Sequence, residues 1–232
     1  LSGTPLVRGT YPFVVRVTDG AGATVSQSFS LTVPEGRPCV AEPTEMTVSY
    51  GDLVVCEIAP AGDTDVFRFA GAPGESVYLQ VARLRGTGTP ALRLIEPDGT
   101  IGGWAGTEAF VKLTKTGTHA VQVAEEYQDE TVAYSFSLER LAPPSPSATP
   151  IGFGYKVQDE INPAGDLDLY YFRASAGDAI SARAVYVDGP GRPCFVVAGP
   201  DGELVSGWIC GPYAAEGDLK LTRSGIHWEF SF

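Results

Sequence analysis

The sequence predicts an all-β protein in which tandem antiparallel β-sandwich (jelly-roll-like) domains follow an N-terminal β-hairpin. Apolar and polar residues alternate with a period of two along many segments, whereas the spacing typical of amphipathic helices is nearly absent. The chain also has 28 Gly and 18 Pro, which favour turns between such segments. One pattern of strands and turns occurs twice, which indicates a duplicated domain.

Composition limits the classes of partner. The chain has 232 residues, enough for two compact domains or for two and a fragment. Its hydrophobic content of 44% supports buried cores, and no segment approaches the roughly 20 apolar residues of a membrane-spanning helix. With 28 Asp and Glu against 16 Lys and Arg, the net charge is −12. We therefore expect no nucleic-acid partner and no membrane insertion.

The first element is a predicted hairpin whose turn, at residues 19–22, has the sequence Asp-Gly-Ala-Gly. The sequence G-T-Y-P-F-V-V-R-V-T-D-G-A-G-A-T-V at residues 9–25 resembles the last two strands of bacterial Ig-like or cadherin-like domains. In those domains of large surface proteins, G-T-Y opens a strand and V-T-D-x-x-G-A forms the turn. The resemblance covers residues 3–33 and implies the C-terminal strands of an Ig-like domain at residues 1–34.

A longer pattern begins near residue 44 and occurs twice. Three motifs of strand and turn residues recur in the same order: P-A-G-D-T-D-V-F-R-F at 60–69 and P-A-G-D-L-D-L-Y-Y-F at 163–172, P-D-G at 97–99 and 200–202, and V-K-L-T-K-T-G-T-H at 111–119 and L-K-L-T-R-S-G-I-H at 219–227. In the P-D-G motifs, Pro presets φ and Gly accepts a positive φ, so these tripeptides predict tight turns. Each copy supplies about eight short strands, which is typical of a β-sandwich or jelly roll.

The order of these motifs resembles the bacterial pre-peptidase C-terminal (PPC) family. PPC modules are small β-sandwiches appended to secreted peptidases and to other exported or surface proteins. The resemblance implies one PPC-like sandwich at residues 44–142 and a second at residues 151–232, joined by a Pro-rich linker at residues 143–150. The prolines of the linker predict a short, stiff spacer.

Four cysteines lie outside any motif typical of zinc or redox sites. We favour the local disulfides Cys39 with Cys56 and Cys194 with Cys210 among the three connectivities that four cysteines allow, because the second pair brackets a predicted hairpin. Disulfides indicate an oxidising, extracellular or cell-surface compartment. Four buried free thiols are the alternative.

Two aspartate pairs, Asp63 with Asp65 and Asp166 with Asp168, are the polar residues most suggestive of a site. Members of a pair lie two residues apart, so on a strand they share a face and could hold Ca²⁺ through their carboxylates. The same face carries apolar side chains, which favours a structural role: a carboxylate at the rim of the core would accept N–H groups from the preceding Pro-Ala-Gly turn. We expect no cofactor. Some PPC-like modules bind calcium, so Ca²⁺ remains the alternative.

Other candidates for chemistry also occupy repeated positions. His119 and His227 follow the same turn in the two copies, and neither a nucleophile motif nor a metal-binding helix accompanies them. Trp104 and Trp208 follow the same hairpin and could stack on a sugar, but we expect each to pack within its sandwich. Residues repeated at one position of a module are normally architectural. We therefore expect no catalytic residue and no enzymatic activity.

Both ends of the sequence are expected to cut through a domain. The first copy continues into a final predicted strand at residues 131–141, whereas the second copy is expected to lack this last strand, which we place at a sheet edge. The sequence would then be an excerpt of a longer protein. Alternatively, strands from neighbouring subunits would complete the open sheet edges.

The expected function is that of a non-catalytic structural or adhesive module array in a secreted or cell-surface bacterial protein. Such a chain could be a subunit of an extracellular filament or surface layer assembled by β-strand complementation. Its partners would be other β domains of the same protein or neighbouring subunits, reached through open sheet edges. The alternative is an accessory module of an exported hydrolase that binds a carbohydrate or protein ligand.

Overall fold

The fold is all-β, as the alternation of the sequence predicts. The chain divides into two compact units, residues 1–36 and 37–232. Among the described residues, no helix is long and apolar enough to cross a membrane. A computed structural model of the chain describes residues 9–18, 20, 22–33, 36–187, 192–212 and 214–231.

The first unit contains the predicted hairpin. β1 (Gly9–Thr18) pairs with β2 (Thr24–Val33) in antiparallel fashion, with Phe13 opposite Phe29. The two rings stack with their centroids 5.6 Å apart, which contributes cross-strand stabilisation. Of the predicted Ig-like segment, residues 1–8, 19, 21 and 34 lie outside the described residues.

The first sandwich of the second unit contains two facing sheets. Its strands are β3 (Arg37–Pro38), β4 (Glu45–Thr47), β5 (Asp52–Ile58), β6 (Thr64–Gly71), β7 (Ser76–Gly86), β8 (Pro90–Ile95), β9 (Glu108–Lys112), β10 (Gly117–Glu125) and β11 (Val132–Ala142). One sheet has the order β4-β6-β10-β8 and the other the order β3-β5-β11-β7-β9. The short strands β3 and β4 pair in parallel with β5 and β6, and the other neighbours are antiparallel.

The core of the first sandwich lies between its two sheets and follows the predicted alternation. Along β6, the side chains of Asp65, Phe67 and Phe69 point inward and are at most 1% exposed. Phe67 stacks on Phe136 of β11 with ring centroids 4.6 Å apart, so the two sheets meet through aromatic contacts. Burial of each such ring contributes about 2 kcal/mol.

The second sandwich is smaller within the described part of the chain. Its strands are β12 (Thr149–Pro150), β13 (Asp168–Ala174), β14 (Ala179–Val185), β15 (Cys194–Ala198), β16 (Ile209–Cys210), β17 (Ala214–Lys220) and β18 (Gly225–Ser231). One sheet has the order β12-β13-β18-β15-β16, and the other pairs β14 with β17. The β18 strand lies between β13 and β15, just as β10 lies between β6 and β8.

The turn chemistry predicted for the repeats is confirmed. Gly99 and Gly202, the last residues of the P-D-G motifs, have φ angles of 84° and 78°. A side chain would be strained at such angles, so glycine is required in both turns.

The position expected for the last strand is wrong. β11 does not lie at an edge but in the middle of its sheet, paired with β5 on one side and β7 on the other. A strand that comes last in sequence can insert between earlier strands, as in Greek-key arrangements. In the second copy, residues 155–161 correspond to β5 and form no strand, so the two copies differ at this position.

Both local disulfides favoured from the sequence are present. Cys39 bonds to Cys56 and Cys194 bonds to Cys210, with Cα atoms 5.2 and 4.2 Å apart. The first bond ties the segment entering the sandwich to β5, and the second links the paired strands β15 and β16.

Mass spectrometry of the non-reduced chain is expected to find these two bonds. They close loops with sequence separations of 17 and 16 residues, so reduction is expected to cost about 3 kcal/mol of stability for each bond. Recovery of four alkylatable thiols from natively purified protein would contradict both the pairing and the oxidising compartment.

Candidate functional site

Asp63 and Asp65 lie at one end of the first sandwich, where the chain turns into β6. The N–H of Asp63 donates to the carbonyl of Pro60 at 3.1 Å, and Gly62 has a φ of 85°, which closes the turn. Asp65 is the first inward-facing residue of β6 and is 0% exposed. The sequence therefore places one carboxylate at the rim of the core and a second inside it.

Glu42 approaches the same point from the segment that enters the sandwich. The disulfide of Cys39 holds this segment in place just before Glu42. The N–H and Oγ1 of Thr44 donate to the carboxylate of the exposed Glu42 at 2.9 and 3.0 Å. One carboxylate oxygen each of Glu42, Asp63 and Asp65 lie within 4.8 Å of one another. We call these three residues the carboxylate cluster.

The carboxylate cluster concentrates negative charge. Among the described residues, no ion pair joins it to a Lys or Arg, and Oδ2 of Asp63 and Oδ1 of Asp65 are buried without a hydrogen-bond partner. The Tyr134 hydroxyl donates to Oδ2 of Asp65. Burial raises the pKa of Asp65 to about 6; the hydrogen bond from Tyr134 opposes this shift, and the charges of Glu42 and Asp63 add to it.

This donor set fits a hard cation such as Ca²⁺. Calcium prefers carboxylate and carbonyl oxygens, and neighbouring carboxylates stay ionised more readily beside a positive charge. Glu42, Asp63 and Asp65 would hold the ion, which would supply a positive charge beside their carboxylates. The unpartnered, buried Oδ1 of Asp65 is the observation that favours a ligand over a purely structural role.

The second sandwich lacks the same set of carboxylates. The strand β12 pairs with β13 in the same register in which β4 pairs with β6. If the two sandwiches are aligned by this register, Ser145 occupies the position that Glu42 occupies in the first sandwich. Asp166 accepts a hydrogen bond from the N–H of Asn162 at 3.3 Å, and Asp168 begins β13. Asp166 thus accepts a backbone N–H group, but from Asn162, the residue before the Pro-Ala-Gly turn, and not from the turn itself.

His119 and His227 occupy matching positions in the two cores. Their rings stack on Phe69 and Phe172 with centroids 5.3 and 5.5 Å apart. Each Nδ1 lies 3.3 Å from the carbonyl oxygen of the glycine two residues earlier. Burial lowers the pKa of His227, which keeps its ring neutral. Surroundings this similar indicate a shared architectural role.

Two turns of the second sandwich contact the first sandwich through three serines. Ser135 and Ser137 of β11 donate their hydroxyls to carbonyls of the Pro-Ala-Gly turn at residues 163–165, each at 2.5 Å. Ser76 of β7 donates to a carbonyl of the Pro-Asp-Gly turn at residues 200–202 at 2.9 Å. Turn carbonyls of one module are thus satisfied by hydroxyls of the other.

Aromatic side chains extend the contact between the sandwiches. Trp208 lies with its ring centroid 6.1 Å from that of Tyr78 and 6.4 Å from that of Phe110. Its Nε1–H donates to Glu108 at 3.2 Å, and the Tyr78 hydroxyl donates to the same carboxylate at 2.6 Å. The buried apolar cluster here takes residues from both sandwiches: Tyr78, Leu141, Leu167, Leu169, Val196, Ala198 and Trp228.

The Pro-rich linker packs against the end of β11. The N–H of Ser145 donates to the carbonyl of Arg140 at 2.9 Å, and Ser145 Oγ accepts the N–H of Arg140 at 2.7 Å. Ser147 donates to the buried Glu139 carboxylate at 3.3 Å. The linker is therefore hydrogen-bonded to the first sandwich, and this restricts the orientation of the second sandwich.

The first sandwich exposes counterparts of the docking elements of the second. Trp104, the counterpart of Trp208, is 44% exposed and lies under the guanidinium of Arg93, 4.6 Å away. The expectation that both tryptophans pack within their own sandwich is wrong, because one is exposed and the other packs between sandwiches. The turns at residues 60–62 and 97–99 are also largely exposed. We call these two turns and Trp104 the turn-and-tryptophan surface.

Comparison with known proteins gives matches to parts of the chain. The family described as "Putative Ig domain" matches residues 1–34, the segment for which the motifs predict an Ig-like fragment. No curated protein matches the chain. The chain is similar to the crystal structure of the pre-peptidase C-terminal domain of collagenase from Bacillus anthracis, with 17% identity, a TM-score of 0.36, and coverage of 43% of this chain and 100% of that chain. It is also similar to tripeptidyl peptidase 2, with 11% identity, a TM-score of 0.23, and coverage of 97% of this chain and 24% of that chain.

Proposed function

We propose that the chain is a non-catalytic structural module array of a secreted or cell-surface protein, in which β-sandwiches dock one behind another. The observation that carries this proposal is the turn-and-tryptophan surface. The second sandwich uses its own two turns and Trp208 to dock on the first, and the first sandwich carries counterparts of all three elements in exposed form.

A contact of this kind is heterologous, because different faces of two similar modules meet. Heterologous contacts that do not close into a ring can extend into a linear array or filament. The linker and the shared apolar cluster fix one sandwich on the other, so an extended array would be stiff. This supports a role in spacing or assembly.

Two further features support an extracellular setting. Disulfides form and persist in oxidising compartments, and both pairs of cysteines are bonded. The carboxylate cluster would bind Ca²⁺ in a calcium-rich environment and would fasten the entering segment, which carries Glu42, to the end of β6. Cation binding would thus stiffen the first sandwich at the point where the chain enters it.

Distance measurements between the sandwiches test the proposal. Spin labels at the exposed positions Thr118 and Thr222 are expected to give one narrow distance distribution. Trp208→Ala removes the aromatic anchor and is expected to broaden this distribution and to cost about 2 kcal/mol of stability or more. The control Trp104→Ala changes an exposed ring and is expected to leave both measurements nearly unchanged. A broad distribution in the unmodified chain would refute a stiff array.

The alternative, an accessory module of an exported hydrolase, makes a different prediction. A binding module should show saturable affinity for a glycan or a matrix protein in a binding screen. Such affinity, together with its loss in Trp104→Ala, would favour the alternative, because that ring is the exposed tryptophan of the first sandwich.

A further inference from the structure

One face of β11 carries a row of polar side chains into the contact with the second sandwich. The row consists of Ser135, Ser137 and Glu139, which alternate with core residues along the strand. The two serines donate to carbonyls of the Pro-Ala-Gly turn at residues 163–165, which we call the docking turn. Glu139 continues the row and is only 5% exposed. A carboxyl group is therefore buried beside the two hydroxyls that hold the docking turn.

The Pro-rich linker packs over Glu139. Ser147 Oγ lies 3.3 Å from each carboxyl oxygen of Glu139. An added Cβ at Gly51, in the turn before β5, would lie 2.7 Å from the same Ser147 Oγ, so the linker is in close contact with the first sandwich here. Among the described residues, no Lys or Arg forms an ion pair with Glu139. A hydroxyl at this distance does not compensate a full buried charge, so the site accommodates the neutral acid better than the anion.

Two further carboxylates face Glu139. Asp52 begins β5 and forms an ion pair with Arg37 at 3.0 Å. Asp166 directly follows the docking turn in the second sandwich and is 9% exposed. The other ionisable groups on the neighbouring strands are engaged with one another: Arg140 with Glu75, and Tyr78 with Glu108. Ionisation of Glu139 would thus add a second negative charge close to Asp166, and these two residues belong to different sandwiches.

The protonation of Glu139 is coupled to its burial. Burial raises the pKa of Glu139 to about 7; the linker serines Ser145 and Ser147 oppose this shift, and the charges of Asp166 and Asp52 add to it. A solvated glutamate has a pKa of about 4.3. Because the pKa is higher in the docked arrangement, protonation favours docking. This contribution is fully present below about pH 4 and is lost as the pH rises through about 7.

We propose that Glu139 makes the docking of the two sandwiches depend on pH: its protonated carboxyl group favours the docked arrangement, and its ionisation beside Asp166 favours opening. The apolar cluster and the serine hydrogen bonds do not titrate, so the sandwiches stay docked above pH 7 but open more often. The inference rests on the docked arrangement of the proposed function and adds a form of regulation to it. An array of such modules would be stiffer in an acidic environment.

Exchange of the Trp208 indole N–H with solvent measures the opening. This group donates to Glu108 of the first sandwich at 3.2 Å, so it is protected while the sandwiches are docked. The indole of the exposed Trp104 is a reference in the same chain, because the intrinsic exchange of both groups changes with pH in the same way. In the presence of a chelator, NMR is expected to show that exchange at Trp208 relative to Trp104 rises roughly 10–100-fold between pH 5 and pH 8. The carboxyl resonance of Glu139 should titrate near pH 7.

Three variants assign the effect to Glu139. Glu139→Gln keeps an acceptor for Ser147 but cannot ionise, so the exchange ratio should change by less than about twofold over the same pH range. Asp166→Asn removes the facing charge and should move the rise to lower pH without abolishing it. Glu57→Gln changes an exposed glutamate of the first sandwich and should behave as the unmodified chain does. If Glu139→Gln does not fold, the titration of Glu139 in the unmodified chain still decides the question.

Three outcomes would overturn the role of Glu139: a constant exchange ratio in the unmodified chain, an unchanged rise in Glu139→Gln, or titration of the Glu139 carboxyl group near pH 4. A narrow distance distribution between the two spin labels with any of these outcomes would leave the stiff array standing. A broad distribution at both pH 5 and pH 8, with an unprotected Trp208 indole, would refute the array and the pH-dependent docking together.

Discussion

Alanine at Gly165 is expected to destabilise the chain much more than alanine at Gly62, although both glycines occupy the same position of a Pro-Ala-Gly turn. Both have a φ of 85°, so each variant incurs a similar left-handed strain of about 1 kcal/mol. At Gly165 an added Cβ would lie 2.5 Å from Ser135 Oγ and 2.7 Å from Ala82 Cβ. At Gly62 it would lie 3.6 Å from the Gln128 carbonyl oxygen, an ordinary contact.

The clash that an added Cβ at Gly165 would make lies at the interface between the two sandwiches. One sandwich would have to move relative to the other to remove this clash. The Ser135 hydroxyl cannot turn away without losing its hydrogen bond to the Ala164 carbonyl, and Ala82 has no side-chain torsion to adjust. We expect Gly165→Ala to cost about 2 kcal/mol more than Gly62→Ala. Urea denaturation in the presence of a chelator measures this difference without interference from a cation near Gly62. Equal costs would contradict the docked arrangement.

These two glycines also show where sequence-based prediction stops. Local alternation and turn chemistry were enough to predict the all-β class, the hairpin, the repeated turns and the pairing of the cysteines. The two Pro-Ala-Gly turns are identical in sequence, yet only one is packed against serines of another sandwich. That difference arises from contacts between residues far apart in the chain, which no local pattern contains.

The position of β11 and the role of Glu42 were missed for related reasons. The order of strands along the chain does not determine their order within a sheet. The sequence therefore led us to expect β11 at an edge, whereas it lies in the middle of its sheet. Glu42 lies before the repeated motifs, in a segment where the two copies differ. The register of the short parallel strands makes Ser145 the equivalent of Glu42 in the second copy. Glu42 is present in only one copy, and this difference between the copies was the available signal.

Calcium is expected to raise the melting temperature of the chain at pH 7.5 by roughly 5–10 °C, and Glu42→Gln to abolish most of this increase. A ligand at about a hundred times its dissociation constant stabilises the folded state by about 2.7 kcal/mol. For a chain of this size, each kcal/mol shifts the melting temperature by about 2–4 °C. The structural basis is the carboxylate cluster, whose three members converge without a Lys or Arg partner in the described part of the chain.

The effect of calcium should depend on pH through Asp65. Its pKa is raised by burial to about 6 in the folded chain, above the value of about 4 for an unfolded aspartate. In the absence of a cation, protonation of Asp65 stabilises the folded state. This stabilisation is fully present below about pH 4 and is lost as the pH rises through about 6. A bound cation requires ionised carboxylates and competes with this proton. The increase in melting temperature should therefore be large at pH 7.5 and small at pH 5.

Two aspartate variants separate cation binding from a general effect of charge. Asp65→Asn keeps an acceptor for the Tyr134 hydroxyl but removes the buried charge, so we expect a chain that no longer responds to calcium or to titration near pH 6. Asp168→Asn changes the counterpart of Asp65 in the second sandwich, where Ser145 takes the place of Glu42, and should leave the calcium response intact. Calorimetry should accordingly find one site per chain. A second site that is lost in Asp168→Asn, or an unchanged response in Glu42→Gln, would show that the aspartates act without the third carboxylate.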